Sequence, residues 1–214
     1  MKKVLKTIFI ISLILLIISL SFKLFTFNIN VYKKEFKNFN IYDKIPNADE
    51  NAVNLINFIN NKEGLNDFYN EKEKLHLEDV KTLYNNLNFM FYLSLILTIL
   101  FLIYFIYSKD IKIIYSSFLI SGIILIFIMF FFLIIDFNHI FEKFHTIVFN
   151  NNYWLLNPDK DNLINLFTLE VQYNIALKIF INILIFTLTL LVLSIVLRKV
   201  ALNKRFLNNR IFKN

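Results

Sequence analysis

IIYSSFLISGIILIFIMFFFLII, Ile113–Ile135, carries no charged side chain from end to end. Roughly 20 apolar residues suffice for a helix to cross the hydrocarbon core of a bilayer. A single segment in lipid must pair its backbone groups internally, so it is helical. Three other runs share this composition: Thr7–Phe22, Phe89–Tyr107 and Ile179–Leu197. Their isoleucines and phenylalanines favour strands in water, but in a bilayer hydrophobicity overrides that propensity. The whole chain agrees, with 57% apolar residues, two glycines and a mean hydropathy of +0.56. The expectation is an all-α polytopic membrane protein, one membrane domain over 1–214 with spans at about 7–27, 89–107, 113–135 and 179–197. The first run continues through Lys23 into LFTF with no small-x-small cleavage site, so it reads as a retained anchor.

Working outward, the charges divide sharply. The N-terminus, the short turn SKDIK and the C-terminal tail hold eleven Lys and Arg (Lys2, Lys3, Lys6, Lys109, Lys112, Arg198, Lys199, Lys204, Arg205, Arg210, Lys213) against the single acid Asp110. Residues 28–88 and 136–178 hold fifteen acids against eleven Lys. Short basic segments stay on the cytoplasmic side. Both termini are therefore expected inside, with 28–88 and 136–178 forming an extracytoplasmic cap in a bacterial plasma membrane. The basic pI is a topology signal. Nucleic-acid binding would need a basic soluble face, and none is present; contact of the tail with anionic lipid fits. The absence of cysteine removes disulfides, thiol nucleophiles and thiolate metal sites.

In the first outer segment, NINVYKKEFKNFNIY alternates only loosely, and 28–48 leaves short strands and irregular structure both open. Beyond Pro46, Asp49 is placed to cap a helix in which Ala52, Leu55, Ile56 and Ile59 recur at helical spacing, with Gly64 as its stop. A second helix begins near Glu71 and runs into the next span, with His76, Asp79, Val80 and Leu83 on one face.

The second outer segment, DFNHIFEKFHTIVFNNNYWLLNPDKDNLINLF (Asp136–Phe167), contains two of the three histidines, the only tryptophan and one of two prolines. It is expected to continue the span before it, with Phe137, Phe141, Phe144 and Val148 on one face. His145 is four residues from both Phe141 and Phe149, beside that stripe. Asn150–Asn152 should break the helix, Asn157-Pro158-Asp159 should turn, and Asp161 should cap a short helix carrying Leu163, Ile164 and Phe167. On straight helices His145 would stand about 15 Å beyond Ile135 and His76 roughly 20 Å before Phe89. The antiparallel pairing of the middle spans then brings the two imidazoles to a similar depth.

Two blocks carry a resemblance. His76-Leu77-Glu78-Asp79-Val80-Lys81 is one; Asp136-Phe137 through Phe144-His145, Phe149, Trp154-Leu155-Leu156-Asn157-Pro158 and Asp161-x-Leu163-Ile164 is the other. In order and placement they resemble the lipoprotein intramolecular transacylases, the Lit family. The departures are Leu77, where the family commonly has Met, and LFTLEVQYN after Ile164. The resemblance implies four membrane helices under an extracytoplasmic cap. It implies transfer of the sn-2 acyl chain of a diacylglyceryl-cysteine to the α-amino group of the same cysteine, giving a lyso-form lipoprotein. His76 and His145 then match the two histidines that serve the reaction as general acid and base. Asp79, Phe141, Phe144, Phe149 and Trp154 become the residues that orient them or the substrate. The partners are diacylglyceryl-modified lipoproteins and membrane lipid; no cofactor, metal or nucleic acid is expected, and the oligomeric state is left open.

The chemistry fits the residue types. Ester aminolysis needs a proton taken from the attacking nitrogen and one given to the departing oxygen, and imidazole titrates near neutrality. Because both reacting groups belong to one molecule, positioning them is itself catalytic. Plainer readings stand beside these. An interfacial histidine is more often a surface residue than a catalyst, and His139 keeps that reading. Asp79 either orients His76 or solvates a helix face. Glu142 is more simply an exposed helical charge than a partner of His145. Tyr153 and Trp154 suit an interface belt. Ser116, Ser117 and Ser121 are more simply helix contacts than nucleophiles. A zinc enzyme using the histidines lacks an HExxH-type motif. A transporter or scaffold would leave more Gly, Pro or charge within the spans than Gly122 and Lys23.

Overall fold

The computed structural model describes residues 2–211, with side chains through residue 203. The tail positions Lys204, Arg205 and Arg210 lie outside the described side chains, and Lys213 lies outside the described residues. The elements are α1 (Lys2–Phe25), α2 (Ile29–Asn38), α3 (Ile41–Lys44), α4 (Ala48–Ile59), α5 (Glu71–Tyr107), α6 (Ile111–Ile134), α7 (Phe137–Val148), α8 (Asn162–Leu166) and α9 (Leu169–Ile211). Among the described residues every element is helical, and four of them, α1, α5, α6 and α9, are long and apolar enough to cross a membrane.

The chain divides into two compact units. One gathers α1 as far as Ser21, α5 from Phe89 onward, α6 as far as Phe131, and α9 from Ile181. Its core is Phe9, Leu13, Ile17, Phe105, Ile114, Phe118, Leu125 and Leu190. Phe9 is fully buried, with its ring 5.6 Å from that of Phe105 and 6.2 Å from that of Phe118. Small polar residues serve close helix contacts, as membrane bundles require. Ser21 bonds Asn182 at 3.0 Å, Thr98 bonds Ser12 at 3.1 Å and Ser194 bonds the Tyr115 carbonyl at 2.7 Å. Ser117 and Ser121 are buried in the same way, and Gly122 lets Leu191 of α9 lie against the backbone of α6. Leu100, Ile103, Phe127, Phe130 and Ile185 stay exposed, an outer surface suited to lipid.

The other unit is Phe22–Asn88 with Phe132–Phe180, so the two polar segments fold together. Where 28–48 had left strands open, it forms α2 and α3. Tyr32, Glu35 and Phe36 recur at helical spacing and are all buried, which selects helix over a strand that would expose alternate members of the set. Glu35 is 1% exposed, yet it is fully bonded. Lys178 pairs with it at 2.6 Å, and Asn174 and Asn38 donate at 2.8 and 3.2 Å. Burial alone would raise its pKa, but these donors hold it below the usual carboxylate value.

Several boundaries differ from the sequence expectation. α4 starts at Ala48, so Asp49 lies in its first turn; there it accepts from Tyr42 at 2.8 Å and pairs with Lys33 at 3.0 Å. The helix ends at Ile59, and Asn61, not Gly64, takes the left-handed conformation (φ 59°). α7 does not continue α6. Asp136 stops the run and caps a new helix, accepting from the Asn138 and His139 N–H groups at 2.9 and 3.4 Å.

Candidate active site

The site is built where the first part of α5 meets α7 and the loop after it, all within the second unit. Residues 71–88 of α5 carry Glu71, Lys72, Glu73, Lys74, Glu78, Asp79 and Lys81, a charge density no hydrocarbon layer holds. His76 therefore lies outside the membrane-spanning stretch of its helix.

α5 starts with a reciprocal cap. The Asn70 side chain accepts from the Glu73 N–H at 3.0 Å, and Glu73 accepts from the Asn70 N–H at 2.7 Å. The second oxygen of Glu73 takes the Leu163 N–H of α8. Asp161 was expected to cap α8 with its side chain, and it does not. Its carboxylate turns to the Asn157 N–H at 2.6 Å and to Asn70 at 2.7 Å, so the capping oxygen of α8 comes from α5. Lys72 donates to the Leu155 carbonyl. These bonds tie the 155–163 loop to the helix carrying His76. Asp79, one turn beyond His76, accepts from Asn151 at 2.9 Å and adds another tie.

On α7, Phe137, Phe141 and His145 follow at intervals of four and stack along one face. The Phe141 and His145 rings are 4.1 Å apart, and Nδ1 of His145 is 2.7 Å from the Phe141 carbonyl. Phe149 ends the helix in extended conformation. Its buried ring meets His76 edge-on at 5.2 Å and lies 5.6 Å from His145. Phe144 stands edge-on to His145 at 5.4 Å, and Trp154 lies over it at 5.1 Å with planes 33° apart. The His76 and His145 rings are 6.1 Å apart. His76 is 7% exposed, and its Nδ1 is buried without a hydrogen-bond partner.

The electrostatics follow from this burial. Loss of solvent drives the His76 pKa down to about 4; His145 and Lys72 push the same way and Asp79 opposes. Burial also lowers His145, against the Phe141 carbonyl, which favours the charged ring. Burial raises Glu73, and its backbone donors oppose that rise.

The structure thus brings His76, His145, Phe141, Phe144, Phe149 and Trp154 together. Asp79 faces Asn151 and makes no hydrogen bond with His76. Trp154 packs on an imidazole, beyond the anchoring role that tryptophan suggests by type. His139 and Glu142 are exposed on α7. Among the described residues no group of three His, Asp or Glu is arranged to hold a metal. An open groove of about 510 Å³ lined by Asp49, Glu50, Asn54, Asn57 and Asn66 lies on α4 and contains neither histidine. Asn70 and Glu73 were not among the expected site residues, although their Asn-x-x-Glu spacing is a legible capping signature; Asn151 was expected only to break the helix, and nothing in the sequence signalled its bond to Asp79.

Residues 7–170 match the family described as lipoprotein intramolecular transacylase Lit. The chain belongs to the Lit family. In fold it is similar to the in meso structure of the membrane-integral lipoprotein intramolecular transacylase Lit from Bacillus cereus, at TM-score 0.75 and 21% identity over 95% of this chain and 97% of that one. Two variants of that protein, with a histidine exchanged for arginine or for alanine, are similar at TM-scores of 0.74 and 0.75 and 21% identity. They cover 95% of this chain and 93% and 95% of theirs. No curated protein matches the sequence. A Lit-family chain with four membrane-length helices is a multi-pass membrane protein, and its family is one of transferases.

Proposed function

We propose that this protein moves the sn-2 acyl chain of a diacylglyceryl-cysteine onto the α-amino group of the same cysteine, leaving a lyso-form lipoprotein. The observation that carries this reading is a pair of buried imidazoles 6.1 Å apart in an aromatic site of a Lit-family chain. Aminolysis of an ester must move one proton from nitrogen to oxygen, and neutral imidazoles do this near physiological pH. The reacting amine and ester sit on one molecule, so holding them together replaces a covalent intermediate. The rings of Phe141, Phe144, Phe149 and Trp154 keep water from competing for the ester and offer an apolar wall to the acyl chains. Asp79, through Asn151, fixes the loop that carries Trp154. The substrates are diacylglyceryl-modified lipoproteins in the bacterial plasma membrane, presented on the extracytoplasmic side.

Mass spectrometry of one lipoprotein N-terminal peptide, from cells with and without the gene, tests this. Lyso-form product with an N-linked acyl chain should appear only with the gene. His76→Ala and His145→Ala should each lose about 10²–10⁴-fold while remaining in the membrane, and His139→Ala should retain most activity. Loss of activity in His139→Ala with His145→Ala still active would refute the assignment.

A further inference from the structure

We propose that Lys72 is a positioning residue for the reaction proposed above: its ammonium group holds the Leu155 carbonyl and so keeps the Trp154 ring on His145. The lysine acts through that ring and not on the substrate.

The stretch 149–161 joins α7 to α8 and forms no helix or strand. Trp154 lies near its middle. The neighbours of the ring give it little support by packing, since Tyr153 and Leu155 are exposed, while Leu156 is partly buried against the core around Leu77. The backbone bonds of the turn run within it, from Leu155 to the Asn152 carbonyl at 3.2 Å and from Leu156 to the Trp154 carbonyl at 3.0 Å. They close the turn on itself and do not direct it towards α5. The ties to α5 are polar, and they flank the tryptophan. Three residues before it, Asn151 donates to Asp79 at 2.9 Å; one residue after it, Lys72 donates to the Leu155 carbonyl. Nζ of Lys72 also lies 3.9 Å from Asp161, whose carboxylate is fixed by Asn70 and the Asn157 N–H. Lys72 thus gathers both ends of 155–161.

Lys72, His76 and Asp79 follow at intervals of four and three, so they share one face of α5. The face that delivers His76 therefore also grips the segment bearing Trp154, on both sides of that residue. Trp154 lies 5.1 Å from His145 with planes 33° apart. The His76, Phe141, Phe144 and Phe149 rings meet His145 at steeper angles, from 38° to 87°. A ring lying so over the imidazole shields it from water and limits its rotation, and small displacements of positioned groups cost much in rate. The bond from an ammonium to a carbonyl is charge-assisted. A lysine head is a compact cation with three donors, suited to serving Leu155 and Asp161 together. Lys72 also opposes charge on His76, an effect that does not pass through Trp154.

The full chain in proteoliposomes supplies two readouts. Trp154 is the only tryptophan, so its fluorescence reports the ring whether or not product forms. Lys72→Met keeps the length of the stem and removes the donor. The lysine side chain is 40% exposed, so the fold should hold, and the thermal midpoint checks this. Emission from Lys72→Met should shift to longer wavelength, and acrylamide should quench it more strongly. Lys72→Arg, which keeps a donor, should stay close to the unaltered protein. With a synthetic diacylglyceryl-cysteine peptide and product read by mass spectrometry, Lys72→Met should lose about ten- to a hundredfold in turnover, and Lys72→Arg should recover most of it. Adding Lys72→Met to Trp154→Ala should cost no more than Trp154→Ala alone. Failure of the unaltered protein to form lyso-form product overturns the reaction reading, and the fluorescence then decides by itself whether Lys72 places Trp154. The inference is overturned if Lys72→Met leaves emission and quenching unchanged or if Lys72→Arg does not restore them. It is also overturned if the two losses multiply in the double variant, which would mark the charge of Lys72 on His76 as the cause.

Discussion

Buried neutral histidines make a protein sensitive to acid, and the sign is fixed by linkage. Folded His76 titrates at about 4 instead of 6.5, and His145 is also lowered. As pH falls, the unfolded chain therefore binds protons before the folded one, and stability drops. The contribution is full above about pH 6.5 and declines from there towards about pH 4, with His76 alone accounting for roughly 3 kcal/mol at the lower end. Glu73, raised by burial, works in the opposite sense. The thermal midpoint of the purified protein should therefore fall between about pH 7.5 and 5, and His76→Gln should flatten that slope. A slope unchanged by the substitution would mean that His76 is not the group responsible. The resemblance of two sequence blocks to the Lit family pointed to His76 and His145; spacing alone placed His145 beside an aromatic stripe and left the plainer surface reading open for all three histidines. The role of Glu73 was not visible, because the N–H it accepts belongs to Leu163, 90 positions away.

At the scale of elements, the apolar helices were the most legible part of the chain, since hydrocarbon leaves a backbone no alternative to helix. The polar unit was read less well. The loose alternation of 29–38 concealed an amphipathic helix whose buried face includes a glutamate, and the ion pair that makes this tolerable comes from Lys178 on α9. The break between α6 and α7 depends on one capping side chain, Asp136, in an otherwise continuous pattern. Close packing in the apolar unit gives a sharper test. A Cβ added at Gly122 would lie 2.6 Å from Cδ2 and 2.8 Å from Cγ of Leu191. The methyl group can rotate away, but Cγ moves only if the side chain or the helix shifts. Gly122→Ala should therefore cost about 1–3 kcal/mol, seen as a lower thermal midpoint in detergent. Leu191→Ala in the same chain should restore part of the loss. Two independent losses that simply add would show that α6 and α9 do not meet through this pair.

For the whole molecule, the charge pattern makes a claim that packing does not. Eleven Lys and Arg against Asp110 mark the N-terminus, the α5–α6 turn and the tail, while fifteen acids against eleven Lys mark 28–88 and 136–178. Four membrane-length helices return the chain to the side on which it began. From the positive-inside rule we propose that both ends are cytoplasmic and both histidine segments lie outside, the side on which the proposed reaction needs a lipoprotein's acylated cysteine. Part of this charge, including Lys204, Arg205, Arg210 and Lys213, lies outside the described side chains. A reporter fused after Asn214 should be active as a cytoplasmic fusion and silent as one requiring export. Single cysteines at Asn60 and Asn152, in a chain that has no cysteine of its own, should react with an impermeant thiol reagent in intact cells. Replacing Lys109 and Lys112 with Gln should reduce the fraction of chains in this orientation, because the α5–α6 turn is short enough for its charge to count. Export-dependent reporter activity at the C-terminus would place the histidines on the cytoplasmic side, away from the exported lipoproteins they are proposed to modify, and would rule out the extracytoplasmic reaction.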